Sequence, residues 1–235
     1  MGVQVSLLAL IMKKLLAALG AFTLLPAIVF ANEDKITKGF YTMDSMGCML
    51  LRECTDDVDE VHSLLDISSV YTNTDEFTQH AQEFNFMLQA MNRVGIKVFI
   101  ADERYFPIGH RGVYHTVSNN VYLNDRYMGR PDVLMSVMRH EGWHVAQDCM
   151  AGSIKNSMIA IIMNEEDVPK YWANIAKKTY MSSSLPWERE AMWAGHTEGM
   201  TMRALNACAA GSMWEVYSPT PKTREWLEEN GFISK

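Results

Sequence analysis

The chain has 235 residues, with 21 Lys and Arg against 28 Asp and Glu for a formal charge of −7, and 48% of it is hydrophobic. That is enough apolar material for one domain with a proper core. The acidic balance excludes the basic face that a nucleic-acid partner requires.

Residues 1–31 differ from the rest. Lys13 and Lys14 precede an apolar run from Leu15 to Phe30, broken by Pro26 and closed by Val29-Phe30-Ala31. A basic segment, an apolar segment and a cut site with a tolerable residue at minus three and Ala at minus one predict a secretory signal removed after Ala31, with Met12 as an alternative start. A retained membrane anchor is the competing expectation, because Val3 to Ile11 lengthens the apolar stretch. The mature chain is then 32–235, secreted or periplasmic and free of the membrane once cut. Losing two lysines takes its charge from −7 to −9. Cys48, Cys54, Cys149 and Cys208 all fall in this part, and an even count in an exported chain points to two disulfides. Of the three pairings open to them, we favour Cys48 with Cys54, closing a short loop, and Cys149 with Cys208.

Val58, Val61, Leu64 and Leu65 have helical spacing and predict a helix over 56–66. A second helix starts near Thr74 and Asp75, carries Phe77, Ala81, Phe84, Met87, Leu88 and Met91, and stops at Gly95. Neither offers chemistry, and His62 and His80 fit surface or capping roles. Ile96 to Ala101 is short and β-branched and predicts a strand. Val113 to Val117 and Val121 to Leu123 flank the turn residues Ser118-Asn119-Asn120, giving a hairpin or two successive strands. Pro131 and Asp132 suit the first turn of a helix whose apolar positions Val133, Leu134, Val137, Met138 and Val145 keep their spacing up to Gly152. Residues 153–163 predict a buried helix and 167–180 another. After a break at Ser182-Ser183-Ser184, Pro186 opens a helix to about Ala209, and Pro221 opens a last one ending at Gly231. With no repeats and no linker, the fold class is α+β: one helix-rich domain with a small sheet preceding the long helix.

That long helix contains His140-Glu141-Gly142-Trp143-His144. Two histidines four apart lie on one face, one turn above the other, so both imidazoles reach a single metal while the glutamate stands beside its open position. This is the H-E-x-x-H pattern of zinc hydrolases. Catalytic zinc usually takes a third protein ligand. The histidine of the longer H-E-x-x-H-x-x-G-x-x-H pattern is missing, since Gln147 and Met150 occupy the glycine and histidine positions. The third ligand is therefore sought in Trp187-Glu188-Arg189-Glu190-Ala191. At about 100 degrees per residue, Glu188 shares a face with Ala191, Gly195 and Gly199, and Glu190 with Trp193, Ala194, Thr197 and Thr201. Small residues allow two helices to approach, which a short glutamate reach needs, so Glu188 is preferred and Glu190 is the alternative. Both also fit as first-turn acids serving the helix dipole.

His140-Glu141-x-x-His144 followed by Glu188-x-x-Ala191 resembles the gluzincins, the zinc peptidases typified by thermolysin, and especially compact forms whose second motif reads Glu-x-x-Ala. The resemblance covers the two helices and the sheet before them. It implies a zincin-like domain in which His140, His144 and Glu188 bind Zn2+ and Glu141 is the general base. It also implies an oxyanion donor, for which His196 is the first candidate, followed by Tyr180 and Tyr217. Many relatives place Asp directly after the Ala to orient a ligand histidine; here that position is Met192, which leaves the task to a carbonyl or to Asp148. The expectation is an exported zinc metallopeptidase acting on a peptide or protein substrate. The alternatives are a zinc hydrolase of a non-peptide amide of the cell-wall type and an inactive zincin-like binding protein. Glu141 argues against the latter, since a structural site needs no base.

Overall fold

The computed structural model describes residues 45–234. The expected signal sequence and its cut after Ala31 lie outside them. The described residues belong to a single unit, 34–235. Its elements are α1 (Ser45–Leu50), β1 (Val58–Glu60), α2 (Leu64–Ser68), α3 (Thr74–Thr78), α4 (Ala81–Arg93), β2 (Lys97–Ala101), β3 (Gly112–His115), β4 (Asn120–Asn124) and α5 (Asp125–Met128). There follow α6 (Pro131–Met150), α7 (Lys170–Thr179), α8 (Leu185–Gly195), α9 (Met200–Ala209), α10 (Met213–Val216) and α11 (Pro221–Glu229). The fold is helix-rich α+β, as the sequence predicts.

The sheet is mixed, in the order β1-β2-β4-β3. β2 and β4 run parallel, whereas β1 and β3 pair antiparallel with their neighbours and form the two edges. The predicted hairpin is β3 and β4, joined through Asn119, whose φ of 55° takes the left-handed turn conformation that asparagine tolerates. The helix predicted over 56–66 is not formed. Val58–Glu60 pairs with β2 instead, and the Asp66 carboxylate accepts from the main-chain N–H groups of His62 and Ser63, so α2 starts only at Leu64. An edge-strand pairing thus overrides an apolar spacing that suited either structure. The helix expected from Thr74 to Gly95 is broken into α3 and α4 by a tight turn in which His80 N–H bonds the Phe77 carbonyl.

Helix α6 is central, with 15 of its 20 residues buried, so it is covered on nearly all sides rather than along one stripe. Toward the sheet and α4 it meets Phe84, Met87, Leu88, Val98, Val121 and Leu123. On the opposite side Trp143, Ala146 and Met150 pack with Ala191, Ala194 and Ala204 of α8 and α9. Both favoured disulfides are present, Cys48–Cys54 and Cys149–Cys208. The second ties the end of α6 to α9 across 59 residues of sequence, a loop length for which chain entropy predicts about 4 kcal/mol of stabilisation. No helix of the described residues is long and apolar enough to cross a membrane.

Two further expectations are corrected. Residues 153–163 are not helical: Ala160 N–H bonds the Gln147 carbonyl, and the N–H groups of Ile162 and Met163 are taken by the Glu190 carboxylate. Donors satisfied by a side chain from another helix need no carbonyl four residues back. The helix from Pro186 to Ala209 is two helices, α8 and α9, separated at 196–199. Gly199 turns there with φ of 75° and donates its N–H to Glu83 at 3.1 Å.

Candidate metal centre

The site forms where α6, α8 and the edge strand β3 meet. Gly195 on α8 makes the approach to α6 close: a Cβ there would stand 3.0 Å from the Ser136 carbonyl oxygen and 3.3 Å from His140 Cβ. Gly112 at the start of β3 does the same on the other side, where a Cβ would fall 2.6 Å from Val137 Cγ1 and 3.1 Å from Glu141 Cγ. Glycine is the residue that allows both approaches.

His140 Nε2 and His144 Nε2 face each other at 3.2 Å, and Glu188 Oε2 lies 3.2 Å from the first and 3.5 Å from the second. That oxygen is buried, and no group besides the two imidazoles partners it. Each of the three atoms can offer a lone pair, and lone pairs crowded into one small space repel unless a proton or a metal ion sits among them, so the set invites positive charge. A proton is one such charge: burial opposes charge on His144, yet its hydrogen bond to Glu188 pushes its pKa up to about 9. Burial also works to raise Glu188, but the two imidazoles hold it well below the usual carboxylate range. A metal ion is the other, and His140, His144 and Glu188 could hold one. Two nitrogens and one oxygen suit several first-row metals, so the donor set fits zinc without singling it out.

Glu141 is buried beside this cluster and faces the Tyr114 main-chain N–H. Burial raises its pKa, against the pull of the two histidines, which moves a carboxylate toward a working base. The other glutamate of the α8 motif, Glu190, is only 1% exposed and points away from the cluster. Its oxygens accept from Gln147 Nε2 at 2.8 Å, Met163 N at 2.8 Å, Ile162 N at 3.1 Å and Trp143 Nε1 at 3.1 Å. Burial raises its pKa in spite of these donors. Every partner is a donor, so a proton on Glu190 would find no acceptor, and we take it as a carboxylate at neutral pH.

The imidazole support differs from the expectation. Asp148 accepts from the Tyr114 hydroxyl at 2.8 Å, and the group on His144 Nδ1 is Gln147 Oε1, also at 2.8 Å. Gln147 stands one turn after His144, a spacing visible in the sequence but not used there. His196 is exposed on the cleft wall, with Nδ1 on the Met192 carbonyl and its ring stacked on Trp172 at 4.3 Å. Tyr180 is nearer the metal-binding atoms, stacked on His140 at 6.1 Å, and its hydroxyl pKa is raised by burial and by Glu188 and Glu141. Tyr217 lies elsewhere, against Trp143 and Arg203. His140, Glu141, His144, Tyr180, Glu188 and His196 line one cleft of about 760 Å³ that runs along β3.

Comparison of the chain with family models, with curated proteins and with solved structures gives no match.

Proposed function

We propose that this chain is an exported, zinc-dependent peptidase of the gluzincin kind, with a zincin-like domain. The observation that carries the reading is the convergence of His140 Nε2, His144 Nε2 and Glu188 Oε2 beside a buried Glu141, at the floor of an open cleft. Zinc held by these three residues supplies Lewis acidity, acidifying water and polarising a carbonyl oxygen. The Glu141 carboxylate takes the proton of the attacking water and passes it to the leaving nitrogen, and the Tyr114 amide keeps that carboxylate in place. Strand β3 is a sheet edge lying along the cleft, so an extended peptide can add to it through main-chain hydrogen bonds. A cleft of this size accommodates several residues of such a peptide. Tyr180 and His196 also line the cleft and are the candidates to donate to the oxyanion. Two disulfides in a chain with an expected signal sequence support export.

The test is Glu141→Gln. The variant keeps zinc bound at wild-type stoichiometry and loses cleavage of a mixed peptide library by about a thousandfold or more, the combined loss expected of a base and a proton carrier. Cleavage at the wild-type rate would sink the mechanism. Zinc bound by wild type with no cleavage of any peptide would leave a hydrolase of a non-peptide amide or an inactive zincin-like binding protein as the reading.

A further inference from the structure

Gln147 lies between His144 and Glu190, and its amide has two chemically different ends. One end is 2.8 Å from Glu190 Oε2 and 3.1 Å from the Trp187 carbonyl oxygen, both acceptors. That end must be the NH2 group. The other end, 2.8 Å from His144 Nδ1, is therefore the carbonyl oxygen, which can only accept. Nδ1 must then carry a proton, so Nε2 is the nitrogen of His144 able to present a lone pair where His140 and Glu188 converge.

Glu190 cannot turn to release this arrangement. Its carboxylate is pinned by the N–H groups of Ile162 and Met163 and by the Trp143 indole, and the same extended segment bonds the Gln147 main chain through Ala160. We propose that Glu190, acting through Gln147, is a positioning residue for His144: it fixes which end of the Gln147 amide faces the imidazole and so which ring nitrogen is offered to a metal. The segment at 160–163 is then part of the support of the site, although it contributes no ligand. This inference rests on reading His140, His144 and Glu188 as metal ligands.

The experiment measures zinc affinity of the full chain by competition with a chromophoric chelator, and the His144 Nδ1 proton of the zinc-loaded protein by histidine NMR. Gln147→Met keeps the shape but has no acceptor; we expect about 10–100-fold weaker zinc binding and loss of the slowly exchanging Nδ1 proton. Glu190→Gln frees the Gln147 amide to turn and weakens binding in the same direction. A role in packing alone leaves the His144 Nδ1 proton of Glu190→Gln as well protected as in wild type. Wild-type affinity and a protected Nδ1 proton in Gln147→Met overturn the proposal, and this variant decides the matter if Glu190→Gln does not fold. Wild-type protein that binds no zinc overturns the ligand reading and this one with it.

Discussion

Glu188 and Glu190 stand two residues apart on the same turn of α8, and their surroundings give them opposite characters. Glu188 Oε2 is buried with two imidazole nitrogens as its only partners, while Glu190 is buried among four donors with no acceptor among its partners. A carboxylate enclosed by donors is complete and acts as a structural tie. A carboxylate enclosed by lone pairs is incomplete until a cation arrives. The residue type is the same in both cases, and the partners decide what it does.

The largest effect that would break this contrast is on stability. Glu190→Ala leaves the amides of Ile162 and Met163, the Gln147 NH2 and the Trp143 indole buried and unsatisfied, and should cost about 3 kcal/mol or more. Glu188→Ala removes a crowded acceptor, so the metal-free protein should melt within a few degrees of wild type while zinc occupancy is lost. Thermal melts of both proteins after chelation check this, and equal losses would erase the distinction.

A smaller effect tests the approach of the helices. Gly195→Val presses on the Ser136 carbonyl and on His140, pushing α8 off α6 at an overpacking cost of about 1–3 kcal/mol. Zinc occupancy should fall in this variant while Glu190 keeps its donors. Full occupancy would mean that the site does not depend on that close contact.

The smallest effect concerns a third carboxylate of intermediate kind. Glu83 is buried enough to be raised, but Arg139 at 2.8 Å and the Gly199 N–H at 3.1 Å hold its pKa below the ordinary value. A carboxylate depressed in the folded state contributes stability above its unfolded pKa and loses it as pH falls through the folded one. Glu83→Gln should therefore cost about 1 kcal/mol at neutral pH, with the difference from wild type closing in acid. Denaturant melts across the acid range measure it; a difference that grew toward low pH would reverse the sign assigned here.

Much of the frame around the site was legible in the chain. Histidines four apart share a face by helix geometry alone, Pro131 and Asp132 mark where that helix starts, and the turn at Asn119 places β3 beside β4. The Cys48–Cys54 pairing followed from proximity in sequence, and Cys149–Cys208 ties the end of α6 to α9. The preference for Glu188 rested on Gly195 and Ala191, and Gly195 does lie against His140. Gly199, counted with them, instead ends the run and begins another helix.

What the sequence determined by itself was local: periodicity, turns and caps, which depend on residues within a few positions of each other. Partners supplied from far along the chain were decided by the tertiary structure. Val58–Glu60 becomes a strand because β2 offers it an edge. Residues 160–163 stay extended because Glu190 takes the amides of Ile162 and Met163 and the Gln147 carbonyl takes that of Ala160. Gln147 supports His144 because Glu190 holds its other end. Each is a hydrogen bond whose donor and acceptor are far apart in the chain, and spacing carries no signal for such a bond until packing brings the two together.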